Sequence, residues 1–389
     1  MVWSVGLEPT KAATTSLPRP LSALWVRREL CQFAHDHMYS IYSCLRRYNL
    51  IAVKYCQFMI YDFQKIPFQH IVKFGQRTML SSPLFSTSWI LGRFCNYSCS
   101  YCWPYARSDK IDHQDFQVYK NTIDEIKRQA RENGFNQFHW SFSGGEPTAY
   151  KQLPDLVKHL DEKESTYQSI HMTTNLSPGS KWWNTWCKNT ELLQRRSITA
   201  SFHDEFAKEQ EFGDKCLQLQ YELVHVTINQ VMVPEKFYEL YERMERFHNR
   251  GINVTLKPQS DPTASAVVEG YTDDMIHKMR EGFPQRANGE ELYQIALYEA
   301  DGTEHLFDQA ERFNAFGFNK FSGWNCNAGY QSVIIRGTEV KRSYSCHDQP
   351  LGTLSNFKLF DSPQECITNT CVSSADSKIP KEIKWLKES

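Results

Sequence analysis

The segment RFCNYSCSYCW, residues 93–103, sets three cysteines within eight positions, at Cys95, Cys99 and Cys102. Three thiolates on one short loop can hold a metal centre, but a structural zinc site or a cubane iron–sulfur cluster normally takes four ligands. The C-x₃-C-x₂-C spacing therefore leaves one position to be filled by something else. In a four-iron cubane that position is an iron open to a substrate or cofactor. The competing reading is a zinc ion completed by a residue distant in the chain. Tyr101, beside the third cysteine, offers an aromatic ring that can pack over a flat ligand.

Forty-two positions after Cys102 comes Gly144, within FSGGEPT. Gly144 and Gly145 permit close backbone approach to a ligand, Glu146 supplies a carboxylate, and Pro147 fixes the turn. Such residues act only where strands bring them together. From residue 87 the chain alternates strand-like runs with amphipathic helical stretches. The strand candidates are 88–94, 137–143, 169–175, 197–203, 225–233 and 252–259, and a helical pattern over 115–134 is stopped by Gly134. Six repeats of strand and helix predict an α/β fold: a parallel sheet with outer helices, as an open, partial barrel. In such folds the loops after the strands carry the site. The cysteines follow the first strand, GGEP the second, Thr174 and Asn175 end the third, and Ser201 and His203 end the fourth.

CNYSCSYC together with FSGGEPT resembles the radical S-adenosylmethionine (radical SAM) superfamily, whose motif is C-x₃-C-x-aromatic-C. The likeness spans roughly 87–260 and matches the three-cysteine motif throughout. It implies a partial (β/α)₆ barrel, a [4Fe–4S] cluster on Cys95, Cys99 and Cys102, and SAM bound to the fourth iron through its amino and carboxylate groups. It further implies reductive cleavage of SAM to methionine and a 5′-deoxyadenosyl radical that takes hydrogen from a substrate, with an external electron donor such as flavodoxin or ferredoxin. By the same resemblance Gly144, Gly145 and Glu146 hold the methionyl amino group. Thr174, Asn175, Ser201 and His203 contact its carboxylate and ribose, and the backbone of Tyr101 and Leu256–Lys257 border the adenine. The bland reading of Ser201 and His203 is that of ordinary strand-end polar groups.

A second cluster follows the barrel pattern: Cys326, Cys346, Cys366 and Cys371. YQSVIIRGTEVKRSYSC predicts a β-hairpin turning at residues 336–338, with Cys326 and Cys346 at its two ends. This arrangement is similar to the Twitch or SPASM extension of radical SAM enzymes, which implies an auxiliary iron–sulfur cluster. Four cysteines favour one cluster, and eight residues between Gly337 and Cys346 are more than the family's hairpin usually has. A structural zinc site and disulfides are the alternatives.

Composition bounds the rest. The chain has 389 residues, 41% hydrophobic, and a net charge of −1, so no global field points to nucleic acid or an anionic membrane. No run reaches a membrane span and no secretory layout opens the chain, which makes a cytoplasmic location the expectation. Residues 1–58 show no period. They resemble reading frames through transfer-RNA genes, with Met38 and Met59 as alternative starts, or else form a disordered or helical extension. The domains read as this extension, a lead-in over 59–86, a core over 87–290, a helical connector over 291–320 and the Cys-rich region over 321–389. Peptides and small polar metabolites lead as substrates. Nucleotide or RNA modification and a non-enzymatic, zinc-stabilised binding protein are the other readings. Tyr105, His203, Lys257 and Tyr330 are candidate acid–base or relay groups.

Overall fold

A computed structural model describes residues 68–78, 83–102, 111–160, 166–262, 266–284, 293–307, 319–346 and 349–384. The N-terminal extension and Tyr105 lie outside them. The chain splits into two units, Met1–Lys65 and Ile66–Ser389, and only the second contains described residues.

Six strands run in chain order and pair side by side in parallel: β2 (Leu84–Ile90), β3 (Gln137–Ser143), β4 (Gln168–Thr174), β5 (Arg195–Phe202), β6 (His225–Met232) and β7 (Asn253–Pro258). Between them lie α1 (Phe116–Glu132), α2 (Leu153–His159), α3 (Ser180–Asn189), α4 (Glu209–Tyr221) and α5 (Phe237–Asn249), with α6 (Asp273–Glu281) after β7. Alternation along the strands assigns the faces. In β3, Phe138, Trp140 and Phe142 are buried in one core with Ile170 and Met172 of β4, Ile198, Ala200 and Phe202 of β5, and the buried faces of the helices. The intervening positions carry hydroxyls and imidazoles: His139, Ser141, His171, Thr173, Ser197 and Thr199. Helix α1 begins where Asp115 accepts the amide of Gln117 and ends before Gly134, whose φ of 88° is a left-handed turn suited to glycine. Its buried stripe is Tyr119, Ile123, Ile126 and Ala130. No helix among the described residues is long and apolar enough to cross a membrane.

The first strand sits four residues earlier than 88–94. After Ile90 the backbone leaves the ladder, because the carbonyls of Gly92 and Phe94 are taken by the GGE turn rather than by a strand. A larger correction concerns 291–320, expected to be helical. Tyr293–Glu299 (β8) and Glu304–Phe307 (β9) are instead an antiparallel pair, and β8 also lies against β1 (Ile71–Thr78). The loop-like ADGTE is their turn, with Gly302 at φ 89°, and burial of Ala296 and Leu297 favours the strand over a polar helix. Residues 308–318 lie outside the described set.

The Cys-rich region does not stand apart from the core. After β10 (Asn325–Cys326), β11 (Ser332–Arg336) adds to the main sheet in parallel beside β2, and β12 (Glu339–Lys341) turns back antiparallel to it. β13 (Pro350–Thr353) and β14 (Asn356–Phe357) extend the same sheet. Their exit strap is tied to α1, where Gln129 bonds Phe357 O at 2.9 Å and Leu359 N at 2.7 Å. β15 (Gln364–Glu365) and β16 (Lys381–Glu382) flank β10 in the second sheet.

Candidate active site

Three strand ends converge on the first cysteine loop. The loop leaves β2 through Gly92, Arg93 and Phe94 and lies directly on the GGE turn. Gly145 N donates to Gly92 O at 2.9 Å and Glu146 N to Phe94 O at 2.8 Å. A Cβ on Gly144 would meet Gly92 O at 2.3 Å, and one on Gly145 would meet Phe94 O at 2.2 Å. Both glycines are thus required by main chain that no side-chain adjustment can clear, and Gly144 also has φ 147°.

Glu146 is 3% exposed. Its Oε1 accepts from Thr148 N at 3.0 Å, Thr148 Oγ1 at 2.7 Å and Thr174 Oγ1 at 2.7 Å, while Oε2 accepts from Asn175 N at 2.7 Å. The carboxylate expected to meet a ligand amino group thus also fastens the end of β4 to the turn after β3. Asn175 continues the chain of contacts, donating from Nδ2 to Asn96 Oδ1 at 3.0 Å and lying 3.9 Å from Cys95 Sγ. The next residue, Leu176, is buried and held at φ 54°, an uncommon conformation for a residue with a branched side chain.

The far side of the loop docks on the turn after β5. Glu205 accepts from Ser100 N at 3.0 Å and from Ser100 Oγ at 2.6 Å. Tyr101 stacks on His203 at 5.9 Å between ring centroids and shares a 2.8 Å hydrogen bond between its hydroxyl and Nδ1. Tyr97 stacks on Phe206 at 4.7 Å. Burial holds the His203 imidazole neutral, with its pKa lowered to about 4, and pushes the Tyr101 phenol well up. Ser201 pairs in register with Asn229. Leu256 belongs to the helix-facing core, and its neighbour Lys257 therefore falls on the opposite face of β7. Tyr330 is elsewhere. Its hydroxyl lies 3.4 Å from Asn133 O and its ring packs on Phe135, at the N-terminal edge of β3, which removes it as a relay group for this loop.

The thiols themselves are poised for a cation. Cys99 is 5% exposed, and burial, with Glu205 and the other two cysteines near it, pushes its thiol up to about 12. Cys95 is raised as well, chiefly by burial and with contributions from Glu146 and Cys102, against a lowering amide contact from Tyr97 N at 3.4 Å. Cys99 is buried, while Cys95 and Cys102 are half-buried on a loop whose Phe94, Asn96, Ser98 and Ser100 face solvent; a centre bound there would displace the thiol protons. Among the described residues no set of three or more His, Cys, Asp or Glu converges on a single metal ion. A cubane distributes its cysteine ligands over separate irons, unlike a zinc site that draws all its ligands around one ion.

Cys326, Cys346, Cys366 and Cys371 are 3%, 5%, 3% and 5% exposed. The fold gathers them: Cys346 feels Cys326 and Cys366, and Cys371 feels Cys326. Burial raises both Cys346 and Cys371, the latter to about 11. The quartet lies at the opposite end of β2 from the first loop, since Gln331 Nε2 donates to Leu84 O and Ser332 aligns with Ser86. A seven-residue strand separates the two ends by roughly 20 Å. Cys187 and Cys216, read as small buried hydrophobes, are buried in the helix-packed core.

Sequence reasoning missed Glu205, Asn96, Phe206, Arg342 and Lys381. The residues Glu205 and Ser100 are 105 apart in the chain, and no local pattern joins them.

Residues 89–195 match the model of the Radical SAM superfamily. That stretch starts in β2 and stops at the first residue of β5, so it contains the cysteine loop, the GGE turn and the end of β4. No curated protein matches. Among solved structures, a histidine-tagged form of anSMEcpe with bound AdoMet is 15% identical, with 70% of this chain and 75% of that chain covered and a TM-score of 0.44. A second, BtrN in complex with AdoMet and 2-DOIA, is 15% identical over 52% of this chain and 87% of that one, with a TM-score of 0.29. Likenesses at these scores carry no weight for fold or function.

Proposed function

We propose that the protein is a radical SAM enzyme that holds a [4Fe–4S] cluster on Cys95, Cys99 and Cys102, with SAM at the iron left without a cysteine. The observation that carries this reading is the junction of that cysteine loop with a glycine turn so tight that a Cβ on Gly145 would stand 2.2 Å from Phe94 O. When bound, the cluster and SAM supply reductive cleavage to methionine and a 5′-deoxyadenosyl radical that abstracts hydrogen from a peptide or small polar metabolite.

The chain's own residues place this chemistry. Gly144 and Gly145 open room at the strand end, and Glu146 sets the relative height of the β3 and β4 ends. Asn175 directs an amide towards Cys95. Tyr97, Tyr101, His203 and Phe206 brace one side of the loop through ring contacts, and Ser201 stands at the end of the neighbouring strand for ribose contact. The six parallel strands serve as a partial (β/α)₆ barrel with this loop at its mouth. The electron comes from an external donor such as flavodoxin or ferredoxin.

A second centre, an auxiliary iron–sulfur cluster of the Twitch or SPASM kind, is proposed on Cys326, Cys346, Cys366 and Cys371. Its support is the burial of all four thiols within one another's electrostatic reach.

Replacing Cys95, Cys99 and Cys102 by Ala together is expected to abolish formation of 5′-deoxyadenosine, measured chromatographically with dithionite as reductant, while iron at the second centre persists. Undiminished 5′-deoxyadenosine from that variant would refute the assignment.

A further inference from the structure

Among the described residues, the C-terminal thiols are accompanied by two buried cations, Arg342 and Lys381, and by a single buried carboxylate, Asp376. Arg342 and Lys381 are 1% and 2% exposed. Among the described residues neither forms an ion pair with a carboxylate. Removing a lone cation from water is one of the costlier acts in folding, and carbonyl contacts offset only part of it.

Both side chains are aimed by the same segments that carry the cysteines. Arg342 Nε donates to Ala328 O at 3.1 Å, Nη1 to Glu365 O at 2.9 Å and to Gln349 Oε1 at 2.8 Å, and Nη2 to Gln364 O at 2.8 Å. Its acceptors thus sit two residues beyond Cys326, three beyond Cys346, and one and two before Cys366. Lys381 is the cross-strand partner of Cys326 in the β10–β16 pair. Its Nζ donates to Ile379 O at 2.7 Å and Asp376 O at 2.9 Å, and lies over the rings of Phe321 and Phe74 at 4.6 and 5.4 Å. The same region holds one buried carboxylate, Asp376, whose Oδ2 accepts from Ser345 N and Ser345 Oγ, both at 2.8 Å, next to Cys346 in the chain. Beside the first loop the charged groups are carboxylates: Glu205 accepts from Ser100 N and Oγ, and Glu146 accepts from Asn175 N.

We propose that Arg342 and Lys381 are built-in counter-ions of an anionic four-thiolate centre on Cys326, Cys346, Cys366 and Cys371, and that their charge raises its reduction potential. This rests on the auxiliary-centre reading above. Taking up one electron makes such a centre one charge more negative with no proton moved, so fixed cations favour the reduced form. The two ends of β2 thereby differ in charge: carboxylates alone at the first site, two buried cations against one buried carboxylate at the second.

The test uses the full chain carrying Cys95→Ala, Cys99→Ala and Cys102→Ala, so that only the second centre contributes, reconstituted anaerobically and titrated with dithionite under EPR and optical detection. Lys381→Met nearly keeps length and ring packing but removes the charge, and Arg342→Met removes the charge together with four donated hydrogen bonds; Lys381→Arg and Arg342→Lys keep the charge. The Met variants are expected to retain iron and sulfide and to shift the midpoint to more negative potential by a tenfold change in the one-electron equilibrium, 59 mV, with Lys381→Arg at the parent value. Loss of iron in Lys381→Met with retention in Lys381→Arg also supports a counter-ion role. An unchanged midpoint at full iron content, or equal shifts or equal metal loss in Lys381→Met and Lys381→Arg, overturns the proposal while leaving the centre in place. A parent that binds no iron and sulfide, or takes zinc alone, overturns the auxiliary-centre reading itself, and the proposal with it.

Discussion

At the residue scale, the GGE turn is the most exacting part of the molecule. Gly145→Ala sets a methyl group against Phe94 O and Arg93 O, both main-chain atoms, at 2.2 and 2.5 Å. The loop must move, and the expected result is destabilisation by about 2 kcal/mol or more together with loss of iron from the first site, read by a denaturant melt and by iron analysis. Glu146 has a different weakness. Truncation to Ala strands Thr174 Oγ1 and the amides of Thr148 and Asn175, each an unsatisfied donor worth about 1–3 kcal/mol when buried. Glu146→Ala is therefore expected to lower both stability and SAM affinity while Glu146→Gln, which keeps acceptor oxygen, loses less of each. Equal melts for the two variants would remove the strap role. The motif residues were legible from the sequence because each owes its identity to local backbone need. The partners of the Glu146 carboxylate were not, since they depend on which strand end lies beside the turn.

At the element scale, the parallel strands were readable because alternation and helix stops repeat through the chain; β3 falls on 137–143 without a shift. The pair β8–β9 escaped because its turn, ADGTE, also reads as a loop between polar helices. The docking of the cysteine loop on the β5 turn was equally hidden, being made by Glu205, His203 and Phe206 from more than a hundred residues away. Glu205→Ala removes the acceptor for Ser100 N and Oγ. Partial loss of iron from the first site and faster alkylation of Cys99 in the metal-free protein are the expected outcomes, with the C-terminal iron unchanged. An alkylation rate equal to the parent's would show that the aromatic contacts hold the loop without it.

For the whole molecule, the polar face of the sheet sets an acid limit. His139 and His171 are half-buried on this face, their pKa values lowered to about 3 and about 4 chiefly by desolvation, with Arg195 and Lys378 acting in the same direction. A histidine whose folded pKa lies below its unfolded value leaves the unfolded chain to take up the proton first. Stability is then complete above about pH 6.5 and falls as pH drops towards the folded values, by up to about 1.4 kcal/mol per pH unit for each histidine. Urea melts between pH 7 and 5 should show this slope, and His171→Gln should reduce it; a slope that is unchanged in that variant assigns the effect to other groups. The same view of the whole shows two thiol sites at opposite ends of β2, one beside carboxylates and one holding two buried cations and one buried carboxylate. Cysteine spacing alone foretold the two clusters, but not their separation, because it is fixed by the parallel addition of β11 beside β2.

The central claim is that the vacancy among three cysteines is a binding position for SAM. It is tested most directly by EPR of the reduced, anaerobically reconstituted protein with and without SAM, observing the signal that is absent from the Cys95→Ala, Cys99→Ala, Cys102→Ala variant. A four-iron signal whose g values change when SAM is added is the predicted result. A signal indifferent to saturating SAM, or a first site that holds stoichiometric zinc and no iron, would contradict it.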